Sequence, residues 1–208
     1  MELITNLITI LTKTALSLGI FTGGLRAAIA ADPDYAAGKI KRNPVIAAII
    51  YMVMAACTIR KGSPAEELLD SLFWSSLALA AFCDFTTTEI YDFCFLPAAI
   101  SGGALLIFNS LHGVRGLIIF GAAQLLIFRK LYGGADCLAF FFCAAYITAC
   151  GGGLTDCFLL MLYVFIILAL VQLAKGNVKK GNLKECVPLI PYIAAVMLIS
   201  LEAKKWFM

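Results

Sequence analysis

Apolar runs of membrane scale, broken by short polar or glycine-rich stretches, make up most of this chain. The first runs from about Leu3 to Ala31, interrupted by Lys13 and by Gly23-Gly24-Leu25-Arg26. The others span about Val45 to Thr58, Leu68 to Cys83, Phe93 to Phe108, Leu117 to Phe128, Cys137 to Cys150, Cys157 to Ala174 and Val187 to Leu201. A perpendicular helical span needs about 20 residues, so flanking residues are expected to extend several of these runs. None shows the alternation over roughly ten residues that marks a transmembrane strand. The pattern predicts an all-α, polytopic bundle of about eight membrane-spanning helices. The first segment is too long for a cleaved signal peptide and lacks a basic leading region.

Composition points the same way. Of 208 residues, 62% are apolar and 14% charged, and the mean hydropathy is +0.95. Soluble domains carry about 25% charged residues, so the lipid bilayer is expected to solvate much of the surface. The formal charge of +3 carries no signature of nucleic-acid binding, because the basic residues fall in breaks between apolar runs. With eight spans, Lys39, Lys41, Arg42, Arg129, Lys130, Lys175, Lys179, Lys180 and Lys184 fall on one side, which the positive-inside rule makes cytoplasmic. Arg60, Lys61, Arg115, Lys204 and Lys205 fall on the other, a bias rather than a clean separation. The protein is therefore expected in the cytoplasmic membrane. Trp206 and Phe207 suit an interfacial anchor.

Eight cysteines are scattered through apolar segments without a CxxC pair, and His112 has no carboxylate or cysteine at ligand spacing. No metal site and no cofactor are expected. Gly151-Gly152-Gly153 lacks the lysine and hydroxyl of a phosphate loop and reads as a tight turn on the far side.

Two aspartates carry the candidate chemistry. Asp84 opens Asp84-Phe85-Thr86-Thr87-Thr88-Glu89-Ile90-Tyr91-Asp92, expected in the loop after the third span. Asp136 closes Gly133-Gly134-Ala135-Asp136, at the entry to the sixth. Ionisable groups beside membrane spans are functional candidates, and the expected topology puts both on the cytoplasmic side. The glycines and Ala135 would let another backbone approach Asp136 closely. Each aspartate also has a plainer role. Asp136 can cap a helix, Asp84 can be a solvated residue at a span end, and Asp92 can cap the fourth span or lie in its loop. Pro188 and Pro191 fit the start of the last helix, where a missing N–H costs little.

Taken together, these segments resemble the type IV prepilin peptidases and their archaeal preflagellin branch. The likeness covers roughly residues 68 to 202. Asp84, Thr87, Ile90 and Asp92 match the family's first aspartate motif, and Gly133, Gly134 and Asp136 its GxGD-type motif. Val187-Pro188-Leu189-Ile190-Pro191-Tyr192 is similar to its late proline-rich helix start. The departures are Tyr91 where proline is usual, Thr86 where a basic residue is common, Ala135 for the last glycine, and Leu138 for a frequent lysine. The resemblance implies N-terminal membrane segments at residues 1–66 and a six-helix aspartic peptidase core at 67–208. It implies cleavage of the basic leader of a prepilin-like or preflagellin-like precursor at the cytoplasmic face, in type IV pilus assembly or protein secretion. Asp84 and Asp136 would be catalytic, and Gly133, Gly134, Ala135, Asp92, Pro188 and Pro191 would shape the site. No methyltransferase activity is implied, since no paired-cysteine module precedes the core. Two other readings stand beside this one. A small ion- or proton-coupled transporter would place its carboxylates near mid-membrane, and an inactive homologue would account for Tyr91 and Leu138. Substrate identity and oligomeric state are not legible in the sequence.

Overall fold

The structure, a computed structural model, describes residues 2–31, 63–87, 90–109, 113–174 and 188–207. All regular structure among them is helical: α1 (Glu2–Ala31), α2 (Pro64–Thr87), α3 (Leu96–Phe108), α4 (Val114–Ala123), α5 (Gly134–Ala149), α6 (Leu154–Ala174) and α7 (Ile190–Phe207). A 3-10 turn (Asp92–Phe95) leads into α3. Beyond α4 the helix runs through a π segment (Gln124–Phe128) into a last α turn (Arg129–Tyr132). Seven of the eight expected segments fall on helices. The second, Val45 to Thr58, lies outside the described residues, as do His112 and the lysines at 39, 41 and 175–184. Three stretches are long and apolar enough to cross a membrane: Leu11–Ala31, Pro64–Thr86 and Leu154–Ala174.

The central helix is α2. It starts earlier than the expected Leu68, because Ser63 and Glu66 form a reciprocal cap. The Ser63 N–H donates to Glu66 Oε2 at 2.9 Å, and the Glu66 N–H reaches Ser63 Oγ at 3.4 Å. Pro64 follows at the first helical position, where its fixed φ suits a helix start. The helix also ends later than Cys83, and this corrects the loop placement of Asp84. Thr86 turns its hydroxyl back onto Phe82 O at 2.8 Å, so no side-chain donor is left bare while the helix continues. Asp84 therefore rides on the last turn of α2. Along the same helix Ser71, Ser75 and Ser76 are buried without orphan hydroxyls. Ser71 and Ser75 bond the preceding turn, and Ser76 bonds Cys94 O in the 3-10 turn.

Specific contacts between helices fix their directions. Lys13 pairs with Glu67, while a Cβ on Gly24 would run into Leu79, so α1 and α2 lie parallel. Tyr146, near the end of α5, donates to Asp70 near the start of α2 at 2.8 Å, while Asp136 and Asp84 at their other ends interact, so α5 runs antiparallel to α2. The Tyr146 ring stacks on Phe73 with centroids 4.2 Å apart and meets Trp74 edge-on. The turn from α5 to α6 uses the glycine triplet as expected. Gly151 has φ +82°, a Cβ on Gly152 would strike Ile147, and the Gly153 N–H is held by Asp156 Oδ2 at 2.8 Å. On the outside, Leu18, Leu125, Leu126, Leu162, Ile166 and Leu170 are exposed. That apolar perimeter suits lipid contact, with α2 enclosed by protein and α1 and α6 mostly at the surface.

The far end of the bundle thus buries Lys13, Asp70 and Tyr146, none of which the sequence pattern assigned to a pair. Tyr146→Phe keeps the ring stack and removes the bond to a buried carboxylate. It should lower the stability of the detergent-solubilised protein by about 1–3 kcal/mol. Tyr163→Phe, on the exposed side of α6, should leave the unfolding midpoint where it is.

Candidate active site

Asp84 and Asp136 sit at the opposite end from Tyr146. Helix α2 delivers Asp84 in its last turn and α5 delivers Asp136 in its first. Because the two helices are antiparallel, an end and a beginning meet. The two carboxyl groups lie within range of each other's charge. The start of α7 comes to the same place, and the 3-10 turn packs on the side of α2 through the Ser76–Cys94 bond.

Asp84 is buried, with 5% of its surface exposed. A carboxylate in such a place needs a donor. It finds one across 106 residues of chain: the Ile190 N–H donates to Asp84 Oδ2 at 2.8 Å. The Leu189 amide also faces the carboxylate. The first turn of α7 explains why these amides are available. A helix start leaves its leading N–H groups without intrahelical partners. Pro191 has no N–H, and the Tyr192 and Ile193 N–H groups return to Leu189 O at 3.0 and 3.1 Å. The Ile190 donor is thereby left for Asp84. The sequence places Pro188 and Pro191 at this helix start; what it did not disclose is that Asp84 caps it.

Asp136 is half-buried and sits beside a sharp bend. Gly133 precedes α5 with φ +100° and ψ +165°, a region open essentially to glycine alone. The bend turns the chain from Tyr132 into α5, and Cys137 N–H bonds back to Gly133 O at 3.3 Å. Asp136 is not the N-cap; Gly133 occupies that position and no side chain caps the helix. Among the described residues the Asp136 carboxyl accepts no hydrogen bond. Ala135 is half-buried against the core.

The structure also relocates the steric constraint in the glycine pair. A Cβ on Gly134 would meet only Arg129 Nε at 3.8 Å, which is ordinary contact. Of the two glycines expected to allow a close approach, Gly134 has no close backbone neighbour among the described residues, and the constraint at Gly133 is its positive φ. Asp92 corrects differently. It begins the 3-10 turn, is exposed, and caps nothing: Tyr91 holds the N-cap position and makes no side-chain cap bond. Thr88 and Glu89 lie outside the described residues.

Behind Asp136 stands a polar cluster that the sequence reading missed. Gln124, 1% exposed, opens the π segment. The Tyr132 hydroxyl donates to Gln124 Oε1, and Gln124 Nε2 lies 3.4 Å from Met161 Sδ on α6. The Gln124 carbonyl accepts the Arg129 N–H and lies 3.4 Å from Cys137 Sγ. The Tyr132 ring is packed by Phe128, Phe140 and Phe165. These contacts tie the residues on both sides of the Gly133 bend to the start of the π segment, and Tyr132 also to α6. A lone glutamine inside an apolar run was the available signal. Among the described residues no cluster of histidine, cysteine and carboxylate side chains could hold a metal.

No protein family matches this sequence, and no curated protein and no solved structure is detectably similar to it.

The bend makes a direct prediction. Gly133→Ala forces a Cβ into a conformation that costs about 1–3 kcal/mol, and should reduce the level of folded protein in membranes. Gly134→Ala should be tolerated. Immunoblots of washed membranes, combined with unfolding of the purified variants, distinguish the two positions.

Proposed function

We propose that this protein is a membrane aspartic endopeptidase that removes the basic leader of prepilin-like or preflagellin-like precursors. The observation that carries the reading is the meeting of Asp84 and Asp136, 52 residues apart in sequence, at one end of an apolar bundle. Two carboxyls in mutual range favour a state in which one is ionised and the other keeps a proton. That state can hydrolyse a peptide. The carboxylate takes a proton from water as the water oxygen attacks the scissile carbonyl carbon, and the acid protonates the carbonyl oxygen. The tetrahedral diol then collapses. The first carboxyl returns its proton to the leaving nitrogen as the C–N bond breaks, and the second recovers a proton from a diol hydroxyl. Water is consumed and both groups regain their starting states.

The sequence motifs supply the substrate class, and the positions of Gly133, Pro188 and Pro191 around the two aspartates fit their suggested roles in shaping the site. Arg129 and Lys130 are exposed beside the Gly133 bend. Under the positive-inside rule they support a cytoplasmic site.

Asp84→Asn and Asp136→Asn should each abolish leader removal from a co-expressed prepilin-type precursor, seen as loss of the gel shift. Because the pair works as a unit, the double variant should be no worse than either single one. Asp92→Asn, at an exposed position without a side-chain bond among the described residues, should retain substantial activity. Full processing by Asp84→Asn would refute the dyad.

A further inference from the structure

Resting on the peptidase reading, the hydrogen bonding of the two aspartates divides their roles. We infer that Asp84, capped by the free amides of α7, is the ionised member and general base, and that Asp136 carries the proton as the general acid. The asymmetry is geometric. Asp84 Oδ2 receives the Ile190 N–H at 2.8 Å, at the positive end of an 18-residue helix. An N–H donor satisfies a carboxylate, whereas the hydroxyl oxygen of a protonated acid is a poorer acceptor. Asp136 receives no such donor among the described residues.

The surroundings do not reverse this difference. Asp84 has Cys83 beside it on α2 and Asp136 across the site. Cys83 in turn contacts Cys94 of the 3-10 turn. Asp136 lies within electrostatic range of Asp84, of Tyr132 in the turn before the Gly133 bend, and of its own neighbour Cys137, on which Arg129 acts. No lysine or arginine among the described residues forms an ion pair with either carboxylate. In the hydrolytic step Asp84 is thus the group that takes the proton from water, and Asp136 the group that gives its proton to the carbonyl oxygen. The Ile190 amide acts through Asp84 and is a positioning group, as is the helix start that presents it.

The experiment uses a pair of substitutions that differ in this donor. Ile190 is the first residue of α7, where proline is tolerated because no intrahelical bond is lost. Ile190→Pro removes the N–H together with the buried side chain. Ile190→Ala removes the side chain and keeps the N–H. The full-length protein, carrying ¹³C-carboxyl aspartate in detergent micelles, is titrated by NMR. Asp84 is read in the Asp136→Asn background and Asp136 in the Asp84→Asn background, so that each titrates without its partner. Asp84 should hold its charge to a proton concentration at least about tenfold higher than Asp136 does, the order expected for one charge-assisted bond. Ile190→Pro should narrow that gap, the Leu189 amide remaining, and Ile190→Ala should leave it. The inference is overturned if Asp136 loses its proton first, or if the Pro and Ala variants titrate Asp84 alike. Should Ile190→Pro fail to insert, the order in the two single-aspartate proteins decides alone. No substrate enters this measurement. A protein that titrates as stated but cleaves no precursor would sink the peptidase reading and leave the amide-capped carboxylate standing.

Discussion

A carboxylate buried in an apolar helix bundle has to be satisfied by something, and here that something is the start of another helix. The bond from the Ile190 N–H to Asp84 Oδ2 joins the last turn of α2 to the first turn of α7. It offsets the desolvation of Asp84 and occupies a donor that α7 could not use itself. Once α2 and α7 are registered in this way, α5 completes the site by running antiparallel to α2. The Tyr146–Asp70 bond and the Phe73–Tyr146 stack fix the far end of that antiparallel pair. The near end then brings Asp136 to Asp84. Polar bonds at both ends set the register that apolar packing alone leaves loose, because side chains in a lipid-facing bundle gain little by choosing one slide over another.

The π segment and the Gly133 bend depart from regular helix just before Asp136. Departures of this kind persist only where neighbouring contacts hold them. Gln124, Tyr132, Met161 and Cys137 provide those contacts. The π segment and the Gly133 bend thus lie next to the candidate dyad, while α2 and α5 are ordinary helices.

Much of this architecture was legible in the sequence, for identifiable reasons. Apolar runs fall on helices because the bilayer rewards one solution, a hydrogen-bonded apolar helix. Gly133-Gly134-Ala135-Asp136 marked a bend because glycine has few other uses before a helix. The boundaries of α2 were misjudged, although Ser63-Pro64-Ala65-Glu66 carried a readable capping box; the apolar count began only at Leu68. Asp84 was placed in a loop because the apolar run ends at Cys83; the bond of the Thr86 hydroxyl back to Phe82 O accompanies a helix that continues past it. What no local pattern could reveal were partners distant in sequence. Lys13 with Glu67, Asp70 with Tyr146 and Asp84 with Ile190 depend on which helices pack together and in which direction. Gln124 showed as a polar interruption, but its hydrogen bonds exist only after α4, α5 and α6 have closed around it.

The central claim is that α2 and α5 bring Asp84 and Asp136 to the same end of the bundle. Its most direct test is intramolecular cross-linking in native membranes, in a protein whose own cysteines are replaced by alanine. Cysteine pairs are introduced at 84 and 136, and separately at 70 and 136, and treated with a short bifunctional maleimide. Positions 70 and 84 lie about 20 Å apart along α2, at 1.5 Å per helical residue. The 84–136 pair should cross-link and the 70–136 pair should not. Cross-linking of 70–136 in preference to 84–136 would place the two aspartates at opposite ends and contradict the account.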